Sequence, residues 1–147
     1  MEPLLYPLSV DEYCNYFNIA KDSLTLPCIF CKAFIDAFQL STFQDRQLSL
    51  VWRGNSCFAA CLRCIRSVAK LERYKFFQCS VKGEYIEHFT QTPLQNLIVR
   101  CLHCMCLLSS EEKVEIIACG EQFYLVRGSW KGVCRKCSEN AWGESNN

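Results

Sequence analysis

Thirteen of the 147 residues are cysteine, and eight of these form four C-x-x-C pairs: Cys28/Cys31, Cys61/Cys64, Cys101/Cys104 and Cys134/Cys137. Two intervening residues let a tight backbone knuckle aim both sulfurs at one ion, and two such knuckles complete a tetrahedron. The pairs therefore point to Zn2+, two ions per chain, in closed four-thiolate sites with no open position for water or substrate. Closed sites are structural, and neither ion is expected to be catalytic. An odd cysteine count, repeated pairs and an N-terminal stretch without a basic signal-type region favour thiolates of a reducing cell over a disulfide scaffold.

The pairs repeat. Cys31 and Cys61 are separated by 29 residues, as are Cys104 and Cys134, with 36 residues between Cys64 and Cys101. A shift of 73 residues superimposes all four paired cysteines of the first half on those of the second, the mark of an internal duplication. The same shift sorts the other candidates. His103 falls on Phe30 and Cys106 on Ala33, neither of which can ligate, so both are excluded as ligands. Cys57 falls on Trp130 and Cys119 on Arg46, while Cys14 and Cys79 lie outside the paired windows. These five spare cysteines are read as buried or half-buried free thiols. Duplication favours each half closing its own site, with metal binding supplying on the order of 10 kcal/mol of folding free energy per site. Cross-braced ligation, as in RING-type ubiquitin ligases, is the alternative.

The formal charge is +1. Two zinc ions, each held by four ionised thiols, would lower it by four to about −3, so strong sequence-independent attraction to nucleic acid is not expected. No stretch approaches the roughly 20 apolar residues that span a bilayer, and no membrane role is expected.

These sites need elements to position them. Ser9 and Glu12 have capping-box spacing and predict a short helix from Ser9 to Phe17. Leu48 to Trp52 predicts a strand, followed by a turn at Arg53-Gly54-Asn55. Residues 64–77 predict a helix with Ile65, Val68 and Leu71 along one face and Arg63, Arg66, Lys70 and Arg73 along another. That basic row reads as a solvated face. Thr92-Pro93 predicts the start of a short helix through Leu94, Leu97 and Ile98. Residues 114–120 and 123–128 predict two strands joined by a tight turn. The fold expected is α+β: two small duplicated zinc-binding domains, each of short antiparallel strands plus short helices around a four-cysteine site, joined by a linker helix. The divisions are 1–64 for the N-terminal segment and first zinc domain, 65–80 for the linker helix, 81–140 for the second zinc domain and 141–147 for a flexible tail.

With the repeat in view, the chain resembles the papillomavirus early protein six, the small transforming protein of these viruses, over essentially its whole length. The resemblance rests on the 29–36–29 spacing, on RGSWKGVCRKC at 127–137, on the linker IRSVAKLERYKFF and on GEYIEHFTQTPLQNLIVRC at 83–101. It implies a non-enzymatic adaptor of the host nucleus and cytoplasm. In that family two zinc domains and a linker helix form an apolar pocket for an acidic LxxLL helix of a host protein. The captured protein is a HECT-type ubiquitin ligase, a mastermind-type coactivator of Notch signalling, or paxillin. Transformation, blocked apoptosis and evasion of innate immunity are the expected consequences.

Carried over residue by residue, the pocket positions are Ile29, Phe30, Phe43, Leu48, Val51, Ala60, Ile65, Val68 and Leu71. Arg53, Arg100 and Arg127 are placed to meet acidic residues flanking the leucines. Arg100 stands out because its repeat counterpart is Pro27, so knuckle geometry does not require a base there. Two departures matter. Ser129 occupies a position that is basic in several ligase-capturing members, which favours the coactivator over the ligase. The ESNN ending lacks the apolar terminal residue that a PDZ domain buries, so no PDZ partner is expected. Nucleic acid is not expected as the main ligand, a DNA-binding zinc regulator being the alternative reading, and weak self-association is compatible with the sequence.

Overall fold

The computed structural model describes the backbone of residues 6–143 and the side chains of residues 6–139. The chain divides into two compact units, Met1–Ile65 and Arg66–Asn147.

In the first unit, α1 (Val10–Phe17) starts at Ser9, whose hydroxyl accepts the Glu12 N–H, and stops at Asn18 in the left-handed region at φ 54. The capping box is only half made, because the Glu12 carboxylate accepts from the Leu8 N–H instead of that of Ser9. Strands β1 (Leu26–Pro27) and β2 (Phe34–Ile35) flank the first knuckle as an antiparallel pair. Helix α2 (Ala37–Asp45) follows, capped by the Asp36 carboxylate on the Gln39 N–H. Strands β3 (Val51–Arg53) and β4 (Ser56–Phe58) form a hairpin whose turn places Gly54 at φ 62, a conformation that a Cβ disfavours. The strand predicted from Leu48 begins only at Val51. The Leu50 N–H is taken by the Leu8 carbonyl at 2.8 Å, so the N-terminal arm replaces a ladder partner there. Trp52 fastens the same arm through its indole N–H to the Pro7 carbonyl, 2.7 Å away, and a ring contact with Tyr6.

Helix α3 (Leu62–Phe76) ends four residues short of the helix expected through residue 80, and β5 (Phe77–Lys82) takes over as strand. Beyond it come α4 (Ile86–Thr90), β6 (Arg100–Cys101), α5 (Ser110–Ala118), β7 (Gln122–Val126), β8 (Ser129–Gly132) and α6 (Arg135–Gly143). The four strands form one sheet in the order β5-β7-β8-β6, with β6 parallel to β8 and the other pairs antiparallel. Its core gathers Ile86, Val99, Leu108, Ile116 and Phe123 around the paired cysteines.

Two predicted elements differ. Thr92-Pro93 starts a single 3-10 turn over Leu94–Asn96 and not an α-helix, with Pro93 itself as the capping residue. Residues 114–118, predicted as strand, lie in α5. A complete capping box, Ser109 with Glu112, starts that helix. A Schellman pair ends it, Glu121 N–H to the Ile116 carbonyl and Gly120 N–H to the Ile117 carbonyl. Local β-propensity in VEII was overridden by caps at both ends and by burial at the helical spacing of Lys113 and Ile116, with Val114 facing out. The glycine read as a hairpin turn is the helix C-cap. Of the tail expected over 141–147, residues 141–143 continue α6, and the rest, including the ESNN ending apart from its place in the sequence, lies outside the described residues.

The offset of 73 governs the fold as well as the cysteines. Helices α2 and α5 are related by it at both ends, and the hairpin β3–β4 corresponds to β7–β8. Each duplicated unit is thus knuckle, helix, hairpin and second knuckle, in that order.

Candidate metal centres

Each knuckle closes on the same backbone bonds. In the first, the Cys28 N–H donates to the Ala33 carbonyl at 2.8 Å and the Lys32 N–H to the Cys28 carbonyl at 2.9 Å. In the second, the Cys101 N–H donates to the Cys106 carbonyl at 2.7 Å and the Met105 N–H to the Cys101 carbonyl at 3.1 Å. Lys32 and Met105 both take φ 66, the left-handed residue that turns each loop back. The second pair of each site rides on a helix start. Cys61 and Cys134 immediately precede α3 and α6, with Cys64 and Cys137 in the first turns. Helix N-termini favour the thiolate form through their free N–H groups and partial positive charge.

Four sulfurs meet in each unit: Cys28, Cys31, Cys61 and Cys64 in the first, Cys101, Cys104, Cys134 and Cys137 in the second, all within 4.8 Å of one another. The Cys31–Cys61 sulfurs are 3.9 Å apart and the Cys104–Cys134 sulfurs 3.7 Å. A tetrahedral zinc ion with bonds of about 2.3 Å requires about 3.8 Å between sulfurs, so the donor sets fit zinc in both number and spacing. The grouping is first pair with second and third with fourth, which excludes the cross-braced arrangement for these clusters. Each unit can hold one structural zinc ion, and all thirteen cysteines are free of disulfides.

The polar surroundings suit thiolates. The Cys61 N–H points at the Cys28 sulfur and the Cys134 N–H at the Cys101 sulfur, each at 3.5 Å, the same bond in both copies. Burial opposes ionisation of Cys28, but the N–H groups of Cys31, Cys61 and Phe30 outweigh it and bring the thiol down to about 6. Cys101 lies far below the ordinary thiol range, held first by the Cys104 bond and then by those from Cys106, Cys134 and Cys137. Burial, then the neighbouring Arg73 charge, lowers His103, whose ring stays neutral beside the site.

Arg66 donates to the Cys137 sulfur at 3.7 Å and Arg73 to the Leu102 carbonyl at 3.3 Å. Half of the basic row read as a solvated face is therefore committed to the second four-cysteine site, which also weakens it as a phosphate contact. Sequence reasoning missed this because helical spacing shows which residues share a face, not what that face meets. It also missed Lys113, 5% exposed, whose ammonium donates to the Leu94 and Leu97 carbonyls, each at 2.8 Å. The repeat position is Leu40, so the offset gave no polar signal there.

The spare cysteines divide. Cys14 and Cys57 are buried, Cys79 and Cys106 half-buried, and Cys119 is exposed, against the expectation for that one. Cys106 is outside the four-sulfur set and packs against the core that holds it.

Among the pocket positions of the first unit, Phe43 and Ile65 are core residues, Ile29, Leu48, Val51 and Ala60 are half-buried, and Phe30 and Arg53 are exposed. In the second unit, Val68 is half-buried and Leu71 is 53% exposed. Leu71 lies in a concavity of about 480 Å³ along α3, lined by Ser67, Lys70, Leu71, Arg73 and Tyr74. Arg127 lies over the Phe76 ring at 4.7 Å, within 3.9 Å of the Glu72 carboxylate, at φ 49 where the first hairpin has Gly54. The Arg100 guanidinium donates to the Met105 carbonyl at 3.0 Å, within the Cys101–Cys106 loop.

The family profile described as Early Protein (E6) matches residues 28–137, from the first zinc-site cysteine to the last. Protein E6 of human papillomavirus type 60 is 45% identical over 139 residues, 95% of this chain and 98% of that protein. Protein E6 of human papillomavirus 4 is 39% identical over 131 residues, 89% of this chain and 94% of that protein. Among solved structures, the C-terminal zinc-binding domain of the HPV51 oncoprotein E6 is 29% identical, covering 44% of this chain and 87% of that one, with a TM-score of 0.39. Duplicated four-cysteine sites and a match along nearly the whole length lead to one conclusion: the chain belongs to the papillomavirus E6 family.

Proposed function

We propose that the chain is a non-enzymatic adaptor that captures acidic LxxLL helices of host proteins, with a mastermind-type coactivator favoured over a HECT ubiquitin ligase or paxillin. It would act in the host nucleus and cytoplasm, and transformation, blocked apoptosis and evasion of innate immunity would follow from rerouting the captured protein. The observation that carries the reading is the exposed Leu71 in a concavity that also contains Lys70 and Arg73. Apolar surface beside fixed cations suits a short helix that offers leucines on one face and acids at its flanks. Arg127 and Arg100 add guanidinium groups already oriented by Phe76, Glu72 and the Met105 carbonyl, which reduces the ordering cost of a charge-assisted bond. Ser129, in place of a basic residue, supports the preference for the coactivator.

The test is fluorescence anisotropy with LxxLL peptides of the three host classes. Micromolar binding is expected, strongest for the coactivator peptide. Leu48→Ala, Leu71→Ala and Arg100→Ala should each weaken it at least about tenfold, with zinc content unchanged at two. Binding that survives all three substitutions would refute the reading.

A further inference from the structure

Lys113 and Lys131 of the second unit are buried to the same degree, each 5% exposed. Their ammonium groups fare differently. That of Lys113 donates to two backbone carbonyls, those of Leu94 and Leu97, at 2.8 Å. That of Lys131 has one hydrogen-bond partner among the described residues, the Met105 thioether sulfur at 3.6 Å. A thioether is a weak acceptor and carries no charge. Among the described residues no carboxylate lies within ion-pair distance of Lys131. Glu72, the acid whose charge reaches it, is paired with Arg127 at 3.9 Å. A buried cation so placed is costly to hold, because little replaces the water it has lost.

The sheet brings a second cation to the same place. Lys131 on β8 is in register with Arg100 on β6 and with Tyr124 on β7, and Tyr124 is in register with Ser80 on β5. Residues directly opposite share a face, one strand spacing of about 4.8 Å apart. The row that crosses all four strands thus holds two adjacent cations, two hydroxyls and no acid. The charged heads also converge on one residue. The Arg100 guanidinium donates to the Met105 carbonyl at 3.0 Å, and the Lys131 ammonium donates to the Met105 sulfur. Met105 is half-buried, and its unbranched side chain has three rotatable bonds, so the sulfur can swing away.

We propose that Lys131 recognises a carboxylate: with Arg100 it forms a two-cation subsite that takes one acidic side chain of the captured helix and releases the Met105 sulfur that covers it. The assignment rests on the LxxLL reading above and names the residue that reads one of the acids. A carboxylate has two oxygens and can bridge a guanidinium and an ammonium one strand apart. An amide of the same shape would leave the buried ammonium without a countercharge. Lys131 therefore makes the site discriminate acid from amide at a single position of the helix.

The test uses the full chain loaded with zinc. Lys131→Met keeps the unbranched stem and removes the charge. Without ligand it should raise the thermal midpoint, the opposite of what loss of a structural bond does. An acidic mastermind-type LxxLL peptide should bind Lys131→Met about tenfold more weakly than the wild-type chain. Among peptides with one acid changed to its amide, one should lose about tenfold toward the wild-type chain and nothing further toward the variant. Acetate, compared with chloride at equal ionic strength, should raise the thermal midpoint of the wild-type chain and not that of Lys131→Met. A Lys131→Met chain that loses stability overturns the proposal. So do amide substitutions that act equally on both chains, and so does equal protection of both by acetate. If no peptide binds the wild-type chain while acetate protects it alone, the adaptor reading falls and the two-cation subsite stands.

Discussion

The Arg66 guanidinium donates to the sulfur of Cys137, 71 residues further along the chain. It would offset part of the double negative charge that four thiolates leave on a zinc ion, and it ties α3 to the first turn of α6. Hydrogen bonds to charged groups contribute about 1.5–3 kcal/mol, reduced toward about 1 kcal/mol for an exposed guanidinium. Arg66→Ala should therefore speed zinc release from the second site about fivefold and leave the first unchanged, as read by a chromogenic chelator.

Coverage separates the two sites. All four cysteines of the second are buried, whereas in the first only Cys28 is. A chelator must reach the sulfurs to displace them, so zinc removal should be biphasic, with one ion per chain lost in each phase. The fast phase should disappear from a fragment-free Cys31→Ser chain, since that substitution removes a ligand of the exposed site.

Cys57 is a buried thiol on β4, 7% exposed, and burial pushes it up to about 11 from an ordinary 9.0. Above pH 9 the unfolded chain releases this proton first while the folded chain retains it. The contribution to stability is then whole below pH 9 and lost as pH rises through about 11, amounting to about 2–3 kcal/mol. Cys57→Val should flatten the denaturant midpoint between pH 9 and 11.

Lys113→Met keeps an unbranched chain in the space but leaves the Leu94 and Leu97 carbonyls without their donor. Two partly compensated carbonyls should cost about 1–3 kcal/mol of unfolding free energy, in the second unit only. Hydrogen exchange at residues 94–97 and along α5 should rise accordingly.

Much of this architecture was legible in the cysteines. Their spacing disclosed the duplication and the ligand sets, because metal geometry leaves little freedom in a knuckle, and the duplication in turn favoured sequential pairing over a cross-brace. The helix 110–118 was legible too, in Ser109 and Glu112, but VEII carries a stronger local signal for strand than two capping residues do for helix. Lys113 and the Arg66–Cys137 bond were not legible. Each depends on which faces meet in three dimensions, and nothing in the identity of a lysine or arginine reports that it will serve a carbonyl or a sulfur.

The constant offset of 73 residues also sets a timetable. Cys64 leaves the ribosome 73 residues ahead of Cys137, an interval of about 4 to 15 s at about 5–20 residues per second. The first unit can therefore be metallated and closed while the second is still being translated. For the later half of that wait Cys101 and Cys104 stand as a pair of thiols whose remaining partners do not yet exist, so zinc supply during synthesis bears on how the second site is filled.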